Sequence, residues 1–342
     1  MYRSDIGIVS AGTGLPGEAI GTAALAKRFG FGTPWEHWVN TFIGTTSRHL
    51  AIDLETGEAR ATLADLGEEA GRKALESAGL GPGDIDLVVM GTATPDLLMP
   101  ATVNQIADRL GIDGVPSFQL QSGCSGAVQA MHVASQLLST GQYRTALVLG
   151  GDVCAKHVVP DADFSRLPPA ELVNLVLFGD GAGAVVLRRE PEPGAALLRG
   201  LFTRLVGLGR EPGQTLAWYG ANRTFDRPAA TEDYKAIEER VPVMAVEVLK
   251  ELLENLDWSE ADLGYLLPPQ LSGRMSTLIG ERLAVPHARQ ITRVHEIGNC
   301  GNGLVFFQLE RALAAMGPGD RAVGVAIESS KWIKSGFALE RT

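Results

Sequence analysis

Cysteine is scarce in this chain. Three occur in 342 residues, Cys124, Cys154 and Cys300. The number is odd and no pair has C-x-x-C spacing, which speaks against both a disulfide framework and a zinc site and points to a reducing cytoplasm. Long hydrophobic runs are missing too. None reaches the roughly 20 apolar residues of a membrane span, and the opening MYRSDIGIVSAGTGLPG reads as a strand and glycine turn, not a signal peptide. Positive charge is in deficit: 30 Lys and Arg against 40 Asp and Glu give a net charge of −10, which argues against nucleic-acid binding. A phosphate-bearing substrate would need a local patch drawn from Arg48, Arg166, Arg204, Arg210, Lys331 and Lys334, each of which alone reads as a solvent-facing charge. What remains, 45% hydrophobic and 20% charged, suits a soluble globular protein of one large domain or two fused halves.

The chain repeats its own grammar. ADLGEEAGRKALESAGLGPGDIDLVVMGT (64–92) and RVPVMAVEVLKELLENLDWSEADLGYLL (240–267) each place an amphipathic helix, an acidic break and an apolar strand in that order. GCSGAVQAMHVASQLL (123–138) is echoed by GNCGNGLVFFQLERALA (298–314), small residues followed by a helix. Each is followed by a buried-looking strand, TALVLGGDV and RAVGVAIESS. Two halves, 1–190 and 191–342, are therefore expected on one α/β plan of mostly parallel sheet covered by helices. If they pack about a pseudo-twofold axis, the helix starts at Cys124 and near Asn299 face one shared site.

Cys124 sits among Gly123, Ser125, Gly126 and Ala127 at the start of a helical run. A helix N-terminus favours thiolate, and a thiolate there can take an acyl group from a thioester. A buried structural cysteine is the plainer alternative.

QSGCSGA, FGDGAGAVVL and GNCGNG, in this order and spacing, resemble the β-ketoacyl-acyl carrier protein synthase III group of the thiolase superfamily. The resemblance spans nearly the whole chain. It implies a thiolase fold, duplicated βαβαβ halves in a five-layered αβαβα sandwich, with Cys124 in the N-terminal half and Asn299 in the C-terminal half. It also implies acylation of Cys124 by a coenzyme A or phosphopantetheine (acyl carrier protein) thioester, no permanently bound cofactor or metal, and a homodimer. EHWVNTFIGTTSRHLA (36–51) looks like the coenzyme A entrance, with Trp38 where the adenine lies. MPATVNQIADRLGI (99–112) resembles the dimer-interface helix, with Met99 reaching the partner's acyl pocket and the 145–153 strand beside it. Trp38, Phe42, Phe178 and Trp218 are the aromatic residues expected near the pocket.

Two departures stand out. Where the family has P-H-Q-A-N, this chain has PPQLS, so Pro269 occupies the histidine position and Ser272 that of the second asparagine. Proline donates neither a hydrogen bond nor a proton. The family's glycine-rich loop reads ESSKWIKSG (328–336), leaving Ser329 or Ser330 to supply an oxyanion-hole N–H. Among the six histidines, His295, four residues before Asn299, is the candidate base; its alternative is a strand-end histidine bonded to backbone. His132, eight residues after Cys124, lies about 12 Å along the helix and too far to serve. Glu296 reads as a solvated carboxylate that could otherwise orient an imidazole.

The expected function is a ketosynthase III-like acyltransferase of polyketide-type metabolism, loading Cys124 and passing the acyl group to an acceptor. Two alternatives stay open: a carbon–carbon bond-forming 3-oxoacyl-acyl carrier protein synthase with a relocated base, and an inactive partner subunit of an active paralogue.

Overall fold

The computed structural model describes residues 5–157, 169–217 and 230–342; Arg166 and Trp218 lie outside them. Local chemistry sets the elements. Thr62 and Asp65 close a capping box at the start of Leu63–Ala78, which then buries Leu63, Leu66, Ala70 and Ala74 on one face. Asp233 caps the long helix Tyr234–Leu256, and Ser272 caps Gly273–Leu283 through a bond from Met275 N–H.

Ten strands of the described residues form the main sheet. In chain order they are β1 (Ile6–Gly14), β2 (Leu87–Thr92), β3 (Ser117–Gln121), β4 (Thr145–Asp152) and β5 (Gly181–Arg189). The second five are β6 (Ala196–Leu205), β7 (Tyr265–Leu267), β8 (Arg289–Gln290), β9 (Arg321–Glu328) and β10 (Ile333–Arg341). The spatial order is β8-β7-β9-β10-β6-β1-β5-β4-β2-β3. Each half reads outward as 1-5-4-2-3 and 6-10-9-7-8, one plan used twice. The halves meet at a short antiparallel contact, Gly7 opposite Leu197 and Ile8 opposite Ala196.

Six helices of the repeat complete the layers: α1 (Leu63–Ala78), α2 (Thr102–Leu110), α3 (Gly126–Ser139), α4 (Tyr234–Leu256), α5 (Gly273–Leu283) and α6 (Leu304–Ala315). Helices α3 and α6 lie between the two sheet halves, burying Val128, Met131, Phe306 and Leu309 in one core. Helices α1 and α2 cover one outer face and α4 and α5 the other. The result is the five-layered thiolase sandwich. No helix of the described residues is long and apolar enough to cross a membrane.

One expectation is corrected. The 145–153 strand region does not face an interface: all eight residues of β4 are buried, with β2 on one side and β5 on the other. The open edge on this side is β3, which exposes Phe118.

Candidate active site

Strand β3 runs into the turn Ser122–Ser125, and α3 begins at Gly126, two residues after Cys124. The turn is held from the other half of the chain. Asn302 accepts the Ala127 N–H at 3.1 Å, and its Nδ2 donates to Ser122 O at 3.0 Å and to Asp152 Oδ2 at 2.9 Å. Close approach explains the small residues. A Cβ on Gly126 would stand 2.3 Å from Asn302 Oδ1, and one on Gly301, at φ +52°, would stand 2.2 Å from Asp152 Oδ2. Buried Asp152 also accepts from Thr92, Ala93 and Thr94, so the GCSG and GNCGNG turns are one braced unit. Asn302 and Asp152 were not singled out in the sequence, although Asn302 lies inside the quoted GNCGNG.

The brace opens onto a cleft, partly open to solvent, lined by Cys124, Phe178, Pro269, Asn299, Ser329 and mostly apolar neighbours. Asn299 is clamped between Leu177 O and Gly179 N–H. Its Oδ1 accepts the Gly301 N–H at 3.1 Å, which leaves Nδ2 as the donor it can offer. Pro269 forms an apolar wall. Beside it, Gln270 accepts at Oε1 from Val294 N–H at 3.0 Å and from Arg293 N–H, while its Nε2 is buried without a partner. Ser272 serves as a helix cap instead of standing in for the family's second asparagine.

The expected thiolate is not what this environment favours. Burial, then Glu328 and Asp152, push the Cys124 thiol up to about 12; a backbone hydrogen bond at the turn opposes them and does not prevail. Glu328 is held beside the turn by Ser125 Oγ at 2.7 Å, by Gln129 and by Ser330. Cys154 and Cys300 are pushed up as well, mainly by burial.

The sequence carried no motif for a second polar group in the cleft. Glu232 Oε2 accepts from Asn174 Nδ2 at 2.6 Å and lies 3.0 Å from the Tyr234 hydroxyl, while Oε1 accepts from Gln214 Nε2 at 3.0 Å. Tyr234 also donates to Asn174. Glu232, Tyr234 and Gln214 share the cleft with Cys124. Burial and the neighbouring carboxylate raise the Tyr234 hydroxyl well above its ordinary value.

The remaining sequence candidates are dispersed. His295 does not line the cleft; it sits in the short helix Val294–Ile297 and its Nδ1 is 2.7 Å from Gly44 O, tying down the end of the 33–44 segment. Glu296 pairs with Arg293 and Arg311. Trp38 packs at 6.5 Å against Phe42, over which Arg274 lies, on the surface and outside the cleft lining. Met99 is 86% exposed and Leu98 66%. Ser329 lines the cleft, whereas Ser330 bonds Glu328. Arg48 is fully buried on Thr45 O and Val176 O, and burial lowers it to about 10. Arg204 and Lys334 pair with Glu251 and Glu247, and Lys331 donates to Arg210 O.

A model of 3-oxoacyl-[acyl-carrier-protein] synthase III matches residues 118–202, the stretch from β3 to β6 that carries Cys124. The β-ketoacyl-[acyl-carrier-protein] synthase III of Synechocystis sp. is 31% identical over 320 residues, covering 91% of this chain and 90% of that one. Among solved structures, AbyA1, a tetronic acid condensing enzyme, is 61% identical with a TM-score of 0.96, covering 98% of this chain and 99% of its own. A priming β-ketosynthase from a polyketide biosynthetic pathway is 25% identical with a TM-score of 0.83, covering 99% and 97%. With its duplicated sandwich and a cysteine and asparagine meeting in one cleft, this chain is a ketosynthase-type enzyme of the β-ketoacyl-acyl carrier protein synthase III family.

Proposed function

We propose that this enzyme condenses two thioesters in the formation of a tetronic acid. Cys124 takes an acyl group from a coenzyme A or carrier-protein thioester and passes it to a carbon already flanked by two carbonyls. A tetronic acid is a five-membered lactone with a 1,3-dicarbonyl pattern. Closing it from two thioesters needs a carbon–carbon bond from the acyl carbon to the acceptor carbon, and a carbon–oxygen bond from an α-hydroxyl of the acyl group to the second thioester carbonyl. The first restores the Cys124 thiol and the second releases the carrier thiol, so no carbon dioxide is lost.

The observation that carries this reading is Pro269 in the cleft with Cys124 and Asn299. A decarboxylating synthase needs two polar donors around the enolate oxygen, and losing one commonly costs about 10²–10³ in rate. An acceptor carbon between two carbonyls is acidic enough to dispense with that step. The likeness to a tetronic acid condensing enzyme at 61% identity supports the same chemistry.

Under this reading Asn299 and the Ser329 N–H face the reacting oxygens, with the Ser330 side supporting the loop. The two halves part at residues 190 and 191. The exposed Leu98 and Met99 meet a second subunit of a cytoplasmic homodimer, and Trp38 with Phe42 receives the adenine of coenzyme A.

The test is to combine the protein with a 2-hydroxyacyl carrier-protein thioester and a β-ketoacyl thioester. The expected product has the summed mass less both thiols. A malonyl thioester that is instead decarboxylated and condensed, with no lactone formed, overturns the reading in favour of an ordinary synthase.

A further inference from the structure

The condensation just described needs a proton acceptor, and the position where the family holds histidine is Pro269. We infer that Glu232 is the base that takes the proton from the acceptor carbon; this rests on the condensing function proposed above. Two observations converge on it. Glu232 lines the same cleft as Cys124, Asn299 and Pro269, within mostly apolar walls. Among the described residues its carboxylate is held by neutral groups, Asn174, Gln214 and Tyr234, and is in no ion pair. A carboxylate without a cationic partner keeps its negative charge available to a proton, where a salt bridge would satisfy it.

The step balances. The Glu232 carboxylate removes the proton of the carbon between the two carbonyls, and the resulting carbanion attacks the acyl carbon on Cys124. The carbon–carbon bond forms, the carbon–sulfur bond breaks, and the departing thiolate recovers the proton from Glu232. Loading follows another route: the Cys124 proton leaves on the donor's thiolate. Asn174, Gln214 and Tyr234 are positioning residues, anchoring both carboxylate oxygens.

The experiment follows the acyl group on Cys124 by intact mass. Wild type and Glu232→Gln are each loaded from a donor thioester and then mixed with a β-ketoacyl thioester. The expected result is that Glu232→Gln loads but clears its acyl group about 10²–10⁴-fold more slowly, and that added formate restores clearance by Glu232→Ala. Clearance by Glu232→Gln at the wild-type rate, or no rescue by formate, overturns the assignment and leaves the condensing function standing. Failure of both variants to load also overturns it, since the carboxylate would then serve loading or the fold. Failure of wild type to clear overturns the condensing function itself.

Discussion

The Asn302 side chain accepts the Ala127 N–H at 3.1 Å across 175 residues of chain, so the first turn of the nucleophile helix is capped from the second half of the molecule. The same side chain holds Ser122 O and Asp152. Asn302→Ala strands several buried groups at once, and orphaned polar groups cost roughly 1–3 kcal/mol each. The variant should lose about 3 kcal/mol of unfolding free energy in urea and load Cys124 slowly. A change below about 0.5 kcal/mol, the range of neutral surface substitutions, would show that the brace is not structural.

Among the described residues, Cys124 is the one cysteine that lines the cleft; Cys300 is fully buried. Cys124→Ala should therefore remove the acyl adduct seen by intact mass while the thermal melt stays close to wild type. An adduct of undiminished size on that variant would place the nucleophile elsewhere.

With its thiol pushed up to about 12, Cys124 is a thiolate only in small part at neutral pH. The sign is fixed: the thiolate fraction grows about tenfold per pH unit below the thiol's own value. Alkylation by iodoacetamide should keep climbing between pH 7 and 10, where an ordinary cysteine levels off near 9. Because Glu328 is the largest charge acting on it, Glu328→Gln should speed alkylation at pH 8 several-fold. A plateau below pH 9 in wild type would contradict this environment.

Pro269 removes the donor that decarboxylation uses. The wild-type protein should release little carbon dioxide from malonyl thioester, and Pro269→His should raise that release by about 10²-fold. Labelled malonyl donor measures both. Rapid release by wild type would restore the ordinary synthase reading.

Leu98 and Met99 are exposed, and the open edge of the sheet at β3 exposes Phe118. Light scattering should give twice the mass of one chain at micromolar concentration, and the double change Leu98→Asp, Met99→Asp should give a monomer. A wild-type monomer would leave this apolar edge to another partner.

Much of the architecture was written in periodicity. Helix and strand alternate in the same order twice, from 64 to 92 and from 240 to 267, and chain order with short connections then restricts how the strands can lie in a sheet. Pro269 was also legible, because lacking a donor is a covalent property of proline that no environment alters. The small residues around Cys124 announced a close approach without saying of what.

Only the tertiary structure decided the rest. Asn302 reaches the Cys124 turn from 175 residues away and Glu328 from 203, Asn302 meets Asp152 across 150, and such contacts leave no periodic trace. That is why a helix start read as favouring thiolate became a thiol held near 12: burial and distant carboxylates outweigh one local hydrogen bond. His295 lies four residues from Asn299 in sequence, yet its Nδ1 meets Gly44 O. Glu232 went unnoticed because its neighbours carry no motif; folding alone brings it into the cleft with Cys124. A sequence reports periods and covalent limits, while the field at a sulfur atom is a sum over groups that only folding brings near.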